Sequence, residues 1–578
     1  MHMANVPGWS RHFWLKEVTP LRPMFVRTLG TLVGALTLLT AACAQPAATP
    51  APGAPAAGDA DAPVTPKVKR VVLAVGQPAR EYNEMRHLTG PDSWQLRPMY
   101  EDLIGIDPQT AKLVPQLATE WKVEPNGQSI RFQLRKGVPF QKDLGEFTSK
   151  DLTPPWKEMV REDSLSGARP YWVKTLKSIE IVGPYEAVYR LSDPSGNFFE
   201  SISEARGSME PFATGQYEKS GPASMATAPV PGTGPYQFLQ RTQGVNVVYE
   251  KVPYKHWRVD AQFQEFEFRW LKEASTRLAS LLTGEVHIAD LPEDLKPQAV
   301  SRGMKMVTGK VPALRTFLDF ACCYVKDVKD LSKGYMNPDA PLLNKTLRRA
   351  LSKAVDRNAL NKAFFGGKGA ILHNNDWHPL REGWNPDWEK RFQDVYGYDP
   401  DAAKKLLAEA GYGPGKPFSI GVDFQPVSGY SGADDMMDAI AGMWRAVGVN
   451  TQLQKTDPTD WNSQIRQFKI ANVAKVTATN ATQWTGATVY STSIGPRSGY
   501  EDTATDTLLN QLQVTMDPKR QDELWRTSGD SKFDSIPNVP LFWLPVEAVY
   551  NPTIVADWPF PGSLSGSWSH VYLIKAAR

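Results

Sequence analysis

Cysteine is scarce in this chain, which has only three in 578 residues: Cys43, Cys322 and Cys323. A fold held together by several disulfides is therefore excluded. Cys322 and Cys323 are adjacent in TFLDFACCYV, a strand-like segment in which successive side chains point to opposite faces. We therefore expect two unpaired thiols on opposite sides of a strand, with a vicinal disulfide as the alternative.

The usual catalytic and cofactor-binding motifs are also missing. The sequence has no G-x-x-x-x-G-K-[ST], G-x-G-x-x-G, H-E-x-x-H, C-x-x-C or G-x-S-x-G string. His373 and His378 flank NNDW, but two histidines five residues apart with no nearby cysteine or third histidine make a weak metal site. We expect no catalytic residues, no metal and no cofactor. The alternative to a protein without catalytic activity or adhesive function is an exported hydrolase or an adhesion module. Neither a nucleophile–base pair nor a sequence repeat supports that alternative.

The chain has little excess charge. Its formal net charge of +3 is carried by residues 1–42, so the remainder is close to neutral. A nucleic-acid-binding protein normally shows a basic excess. We therefore expect no nucleic-acid partner.

Long apolar runs are absent except near the start. Residues 28–42, TLGTLVGALTLLTAA, carry no charge and follow Arg22 and Arg27. This pattern is typical of a bacterial export signal, and it is too short for a confident membrane span. Cys43 follows it, although the usual leucine three residues before the cysteine is replaced by Thr40. We expect residues 1–42 to be a signal peptide and Cys43 to be lipidated. The alternative is an ordinary signal peptide.

The segment after Cys43 is poor in side chains that could form a core. Of the 23 residues 44–66, 17 are Ala, Pro or Gly. Such a segment cannot bury enough apolar surface to become ordered and behaves as a tether. Residues 43–66 are therefore predicted to be a lipidated cysteine and an extended linker, which would hold an exported protein at the cell membrane, facing the periplasm or the cell exterior.

The rest of the chain alternates strand and helix patterns. Lys69–Val75 and Ile130–Leu134 are predicted strands, the second after a turn at Pro125-Asn126-Gly127. Later helices carry start and stop signals: residues 274–283 are predicted to form a helix that Gly284 ends, and another helix begins at Asp399-Pro400 and ends at Gly411. Residues 418–453 are predicted to form a strand–helix–strand unit. The chain length allows two to four domains.

Several strings resemble one known family when they are taken in order. They are RPMYEDLIGID (97–107), LVPQLATEWKVEPNGQSIRFQLRKGVPF (113–140), PVPGTGPYQF (229–238), VVYEKVPYKHW (247–257), ASTRLASLLTGEVHIADLP (274–292), NKTLRRALSKAVDRNAL (344–360) and DPDAAKKLLAEAGY (399–412). The chain is similar to the bacterial extracellular solute-binding proteins of family 5, the oligopeptide- and dipeptide-binding type of ABC importers. Most of these strings are expected to be scaffold.

The resemblance implies an α/β, two-lobe periplasmic-binding-protein type II-like fold with an extra small domain, hinged to close on a ligand. Domain I would comprise residues 67–100, 219–310 and 545–578, domain II residues 101–218, and domain III residues 311–544. The implied partners are a small-molecule or peptide solute, ABC permease subunits and the membrane, and the implied state is a monomer.

The sequence departs from the family where peptide binders often carry a Trp-x-x-Asp string. In FKIANVAKVTATNATQW (468–484), Lys475 stands in the place of the Trp, and Thr477 or Ala478 in the place of the Asp. No acid occurs between Asp460 and Glu501. A buried ammonium without a counter-charge is costly, so binding of a free peptide amino terminus is in doubt.

Aromatic and amide side chains are the candidate ligand contacts instead, since 18 Trp are present and many lie in polar, loop-like sequence. The candidates are Asn480, Gln483, Trp484 and Tyr490 in domain III, Tyr82 and Trp94 in the first lobe, and Trp377, which would close over the site. The alternative for each ring is a plug in a loop core. The predicted function is capture of a peptide or peptide-like solute, with an oligosaccharide or other neutral polar solute as the alternative.

Overall fold

The computed structural model describes residues 65–78, 81–87, 90–207, 209–327, 330–424, 433–456, 458–480, 501, 503–559, 562–563 and 566–578. The predicted signal peptide, Cys43 and nearly all of the predicted tether lie outside these ranges. Within them, no helix is long and apolar enough to cross a membrane.

The described strands follow one another along the whole chain. They are β1 (Arg70–Val75), β2 (Ile104–Ile106), β3 (Leu113–Pro115), β4 (Ala118–Val123), β5 (Ser129–Leu134), β6 (Leu176–Gly183), β7 (Glu186–Leu191), β8 (Tyr236–Thr242), β9 (Asn246–Lys251), β10 (Glu265–Trp270), β11 (Ile288–Ala289), β12 (Lys305–Ala321), β13 (Ala370–Ile371), β14 (Ser419–Asp423), β15 (Asn450–Gln454), β16 (Val473–Asn480), β17 (Val539–Tyr550), β18 (Val555–Asp557), β19 (Gly562–Ser563), β20 (Gly566–Ser567) and β21 (Lys575–Ala576).

The described helices are concentrated in the second half of the chain. They are α1 (Thr153–Met159), α2 (Arg169–Thr175), α3 (Phe198–Ser201), α4 (Thr214–Ser220), α5 (Ala274–Thr283), α6 (Lys296–Ser301), α7 (Lys345–Lys353), α8 (Arg357–Phe365), α9 (Asp387–Val395), α10 (Pro400–Glu409), α11 (Ala433–Ala446), α12 (Pro458–Arg466), α13 (Thr503–Val514) and α14 (Pro518–Ser535).

Local signals set several of these boundaries. The Asp399 carboxylate accepts a hydrogen bond from the Ala402 N–H at 2.9 Å and starts α10 at Pro400. Gly284 ends α5 in the left-handed conformation, with φ of 80°. The predicted strand–helix–strand unit is present as β14, α11 and β15, and the two strands are parallel. These local predictions are confirmed.

One sheet runs through most of the protein. Its strand order is β15-β14-β16-β12-β17-β11-β1-β10-β9-β8, and β13 adds to β17. The sheet mixes parallel pairs, such as β1 with β10, and antiparallel pairs, such as β12 with β17. A separate four-stranded antiparallel sheet has the order β4-β5-β7-β6.

The hydrophobic cores divide the sheet into two lobes. Side chains of β1, β8, β9 and β10 share a core with the four-stranded sheet, and we call this part the first lobe. Side chains of α7, α8, α11 and β14 form a different core with the far halves of β12 and β17, and we call this part the second lobe. A third cluster, rich in aromatic rings, joins α9 to α14 in the second lobe. The two-lobe α/β architecture is therefore the one that the sequence predicted.

The turn GTGPY needs its glycines for space. A Cβ on Gly232 would lie 2.4 Å from the Met99 carbonyl oxygen, and one on Gly234 would lie 2.6 Å from the Met99 carbonyl carbon. The Gly234 N–H donates to the Met99 oxygen at 2.9 Å, and the Gln141 amide donates to the same oxygen at 3.0 Å. This turn therefore holds Met99 of the predicted domain I and Gln141 of the predicted domain II together, in keeping with a scaffold role.

Cys322 and Cys323 form a vicinal disulfide, so the expectation of two unpaired thiols is wrong. Strand β12 ends at Ala321, so the alternation that would separate the two thiols no longer applies at the cysteines. Both residues are buried in the second-lobe core. The Cys323 carbonyl also accepts the Glu501 N–H at 2.9 Å.

We expect the Cys322–Cys323 pair to be oxidised in the purified protein. Iodoacetamide should then label neither residue in denatured protein unless a dithiol reductant is added first, because only a free thiolate is alkylated. Peptide mass mapping with and without the reductant measures this. Labelling of both cysteines without the reductant would contradict the disulfide.

Candidate ligand-binding cleft

Two strands connect the lobes and are irregular at the crossing. β12 pairs with β17 from Lys305 opposite Tyr550 to Thr308 opposite Glu547, and pairing resumes at Pro312 opposite Pro545 after a register shift. A second shift follows before Leu314. Proline has no N–H to donate and bulges interrupt the ladder, so the pairing is weakest here. The lobes can therefore rotate about this crossing more easily than about any regular part of the two strands.

A cluster of charged side chains lies beside this crossing. The Glu547 carboxylate accepts hydrogen bonds from the Lys296 ammonium at 2.5 Å, the Lys368 ammonium at 3.1 Å and the Thr308 hydroxyl at 2.9 Å. Glu293 also pairs with Lys296, and it lies 3.6 Å from Lys368. Lys368 follows α8 of the second lobe, whereas Lys296 opens α6, whose Ala299 shares an apolar cluster with β1 of the first lobe. The cluster therefore ties the lobes together at the crossing.

Glu547 is ionised in this cluster. Burial alone would raise its pKa, but the two ammonium groups and the Thr308 hydroxyl outweigh that effect and lower the pKa to about 2. Burial works against the charge of Lys296 as well, yet Glu293 and Glu547 hold the pKa of Lys296 above its ordinary value. Glu547 and Lys296 are thus both charged at neutral pH.

The second lobe presents a polar face on β12, opposite its core. Leu318 and Phe320 of β12 point into the core, and the alternate residues Phe317 and Asp319 point to the other face. On the neighbouring β16, Thr477 stands opposite Phe317 and Lys475 opposite Asp319. The Thr477 hydroxyl donates to the Asp319 carboxylate at 3.1 Å.

Lys475, which we expected in the place of a tryptophan, lies next to an aromatic ring and two acids. Its ammonium lies 4.3 Å from the centre of the Trp461 ring of α12. Burial lowers the pKa of Lys475, and the carboxylates of Asp319 and Asp423 oppose that shift. Lys475 therefore neutralises acids of its own lobe and is already engaged.

A buried ion pair extends the same face of β12. Arg315 pairs with Asp376, and its guanidinium donates to the Asn375 side-chain oxygen at 2.9 Å. Asp376 also accepts from the Lys532 ammonium at 3.4 Å. The backbone of Asp376 has φ of 82°, a conformation that costs energy for a residue other than glycine and is kept only where neighbours enforce it.

Charges on this face are matched in number. Among the residues that the structure describes, the carboxylates of Asp319, Asp376 and Asp423 stand against the cations of Arg315, Lys475 and Lys532. Asp376 pairs with both Arg315 and Lys532, whereas Asp319 and Asp423 both lie close enough to Lys475 to oppose the lowering of its pKa. An ammonium group of a ligand would have to compete with these internal cations for any of the three carboxylates.

The first lobe packs onto this face, so the face lies at the boundary between the lobes, where a ligand cleft is expected, and we call it the cleft wall. Ala111, in the first-lobe loop between β2 and β3, shares an apolar cluster with Phe317, Leu372 and Trp543 of the second lobe.

The His378 ring meets the Trp543 ring edge-on, with centroids 5.1 Å apart. Burial, assisted by nearby Arg381, lowers the pKa of His378 to about 4, so this imidazole is neutral at pH 7.

The two first-lobe residues predicted to bind ligand lie in the loop that follows β1. Tyr82 is 39% exposed, and its ring lies 5.1 Å from that of His87. Trp94 is half-buried and packs edge-on against Phe268 and Trp270 of β10, with centroids 4.6 and 5.6 Å apart. The 3-10 helix that carries Trp94 contacts β20, while β19 and β20 contact β12. This loop is therefore next to the cleft, and ligand contact by Tyr82 and Trp94 stays a prediction.

Trp377 has a packing role in this structure. It is fully buried in the aromatic cluster of the second lobe, 5.8 Å from Trp388 and 6.0 Å from Trp525 between ring centroids. Its indole N–H donates to the Trp525 carbonyl at 3.1 Å. This is the packing role that we gave as the alternative to ligand contact for each ring. The position of Trp377 therefore does not support its predicted closure over a ligand.

The remaining predicted contacts are at the end of β16 and beyond it. Asn480 is the last residue of β16, opposite Leu314 of β12, which brings its backbone to the cleft wall. Gln483, Trp484 and Tyr490 lie outside the described residues. The two histidines considered as metal ligands contact aromatic rings, His373 beside Phe392 and His378 beside Trp543. Within the described ranges no group of three His, Cys, Asp or Glu could hold a metal ion.

Sequence reasoning missed the charged residues of the cleft wall. The alternation in RTFLDF does place Arg315, Phe317 and Asp319 on one face, and this signal was available. Asp376, the partner of Arg315, is 61 residues away in the chain, and Lys532, which also pairs with Asp376, is a further 156 residues away, so nothing local indicates these pairings.

Comparison with known proteins gives a consistent picture. The model of the bacterial extracellular solute-binding proteins, family 5 Middle, matches residues 112–510. The dipeptide-binding protein of Escherichia coli K12 is 25% identical over 394 residues, which cover 64% of this chain and 68% of that protein. Heme-binding protein A of Haemophilus influenzae is 26% identical over 403 residues, covering 64% and 67%. The structure of HbpA2 from Haemophilus parasuis superposes with a TM-score of 0.70 at 18% identity, covering 88% of this chain and 100% of that one.

We expect Glu547→Gln to destabilise the protein by about 1–3 kcal/mol at pH 7, because it leaves two lysines without their carboxylate. The pKa of Glu547 is about 2 in the folded protein and ordinarily 4.5, so the stabilisation is complete above about pH 4.5 and fades as the pH falls towards 2. Urea unfolding of both proteins at pH 7 and at about pH 3 measures this.

A matched control is Glu180→Gln. It breaks the ion pair with Arg190 on the surface of the first lobe, where both side chains are roughly half exposed, at 52% and 41%. An exposed pair contributes about 0–1 kcal/mol, so this variant should stay near the wild type. Equal losses of unfolding free energy in the two variants would contradict the ionised, ion-paired state of Glu547. So would a loss in Glu547→Gln that is as large at about pH 3 as at pH 7.

Proposed function

Because the chain belongs to the bacterial extracellular solute-binding proteins of family 5, we propose that it captures a solute between its two lobes and delivers it to the permease of an ABC importer. The observation that carries this proposal is the pair of strands, β12 and β17, which run within one sheet from one separately packed lobe to the other and lose their register between them. We propose the three-domain division given above together with this function, and no catalytic step.

A peptide or peptide-like solute is the leading ligand class. Relatives of this chain are named for a dipeptide and for oligopeptides, and one solved family structure holds a nonapeptide. The names of these relatives support the choice of a peptide, and the aromatic residues predicted at the cleft are compatible with it. One other relative is named for heme, so proteins similar to this chain are named for different ligands.

A neutral polar solute, such as an oligosaccharide or a capped peptide, is the second candidate. The matched charges of the cleft wall favour it, since Asp319, Asp376 and Asp423 each face a cation of the protein. The sequence has no acid between Asp460 and Glu501. Glu501 itself is buried, and its carboxylate accepts the Val325 N–H at 2.6 Å. At the described acids of this wall, a free α-ammonium would have to compete with the protein's own cations, whereas a neutral ligand needs no carboxylate.

Native mass spectrometry of the purified protein tests the function and identifies the class. We expect an adduct that is released on denaturation and has the mass of a peptide or of a neutral polar solute. Protein that carries no adduct, and that binds neither di- and tripeptides nor oligosaccharides in titrations, would contradict the proposal.

Trp484→Ala tests the predicted site with the solute found in this way. A stacking ring should cost binding about 1–3 kcal/mol when it is removed, while the melting temperature of the solute-free protein stays nearly unchanged. Trp377→Ala is the matched control, because removing a ring from a packed core should cost stability of about 3–5 kcal/mol instead. If Trp484→Ala lowers the melting temperature and leaves affinity intact, Trp484 belongs to a core and the site has been misplaced.

We also propose that Cys43 carries a lipid that holds the protein at the membrane, on the evidence of the apolar run before it and the Ala/Pro-rich segment after it. Wild-type protein expressed in a bacterium should show an acyl mass on Cys43 and should sediment with membranes. Cys43→Ala should be found without that mass and outside the membrane fraction. A wild-type amino-terminal peptide without any acyl mass would overturn the lipid anchor.

A further inference from the structure

The lobes also touch through a loop and a turn that lie outside the crossing strands. The loop Ser195–Asn197 joins β7 to α3 in the first lobe, and the turn between α13 and α14 belongs to the second lobe. The Gly196 N–H donates to the Gln513 carbonyl at 2.8 Å. The Gln521 amide donates to the Gly196 carbonyl at 3.0 Å and to the Thr515 carbonyl at 2.6 Å. Both backbone groups of Gly196 are therefore bound to the other lobe.

Gly196 is required here for space and not for its backbone conformation. Its φ lies outside the left-handed range that favours glycine. A Cβ at this position would lie 2.2 Å from the Leu512 carbonyl oxygen and 2.8 Å from both the Thr515 oxygen and the Gln521 nitrogen. Any larger residue would keep the turn from reaching the loop.

Two further contacts surround the glycine. Arg381 of the second lobe lies 3.8 Å from the Glu200 carboxylate of the first lobe, with side-chain exposures of 11% and 10%. Burial raises the pKa of Glu200, and Arg381 acts against that shift. Met516, in the turn, packs against the first-lobe core. The contact thus combines backbone hydrogen bonds, a largely buried ion pair and apolar packing.

We propose that this contact, which we call the Gly196 latch, holds the lobes together without a solute. The inference rests on the proposed function, in which the lobes move apart about β12 and β17. Residues 195–200 and 512–521 are remote in sequence from that crossing and are carried by different lobes. Separation of the lobes at this edge must break the latch. The free energy of the latch contact therefore contributes to the fraction of solute-free protein that is closed before a solute binds.

Gly196→Ala tests the latch in the solute-free full-length protein. We expect the closed-to-open ratio to fall about tenfold, a change of about 1.4 kcal/mol. Small-angle scattering should then show a larger radius of gyration than the wild type, and hydrogen exchange should be faster in the peptides that contain Gly196 and Gln513. Gly167→Ala is the control, since a Cβ on that exposed first-lobe glycine meets nothing within 4 Å and its φ is also ordinary.

If Gly196→Ala does not fold, as judged by circular dichroism, Gln521→Ala carries the test. It removes the donor to Gly196 and should shift scattering and exchange in the same direction by a smaller amount. Scattering and exchange unchanged in the folded variant, relative to the wild type and Gly167→Ala, would overturn the latch. Both measurements are made without solute, so failure of the latch is separate from failure to find a solute by native mass spectrometry.

Discussion

The continuity of one sheet across two hydrophobic cores is the constraint on which this structure depends. β12 and β17 contribute to both cores, so their pairing cannot be lost without separating the lobes. The pairing is nevertheless irregular between Thr308 and Leu314, where a bulge and two facing prolines reduce the number of ladder hydrogen bonds. Covalent continuity with local weakness is what a hinge requires. The ion cluster around Glu547 lies at that same point and links the second-lobe loop at Lys368 to first-lobe residues.

Charge compensation within the second lobe shapes what the cleft can bind. Buried carboxylates are stable only when they are paired, and Arg315, Lys475 and Lys532 provide the pairing on this wall. Lys475 is the informative case. Its ammonium lies over the ring of Trp461, and Asp319 and Asp423 are close enough to oppose the lowering of its pKa by burial. A site with balanced charge and aromatic neighbours discriminates by shape and by neutral hydrogen bonds more than by ligand charge.

Local features of the fold were predictable from sequence, because their causes are local. The cap at Asp399, the stop at Gly284 and the parallel unit of β14, α11 and β15 each follow from residues within a few positions. The vicinal disulfide was expected only as the alternative, since β12 stops one residue before the cysteines, and an alternating pattern does not reveal where a strand ends.

The site was less predictable, because its contacts join distant parts of the chain. Trp377 follows polar residues, and its burial depends on Trp388 and on Trp525. The salt bridge between Arg315 and Asp376 likewise joins separate segments. The family resemblance predicted the two-lobe α/β fold, but it carries no information about pairings that differ from those of its relatives.

Hydrogen exchange with and without the solute identified by native mass spectrometry tests the central claim most directly. Capture between the lobes predicts slower exchange in both lobes at once, in the loop around Trp94 and along β12 and β16 beside Phe317 and Thr477. The protected segments of the first lobe and those of the second lobe should lose that protection together when the solute is removed. Slower exchange confined to one lobe, at saturating solute, would contradict binding between the two.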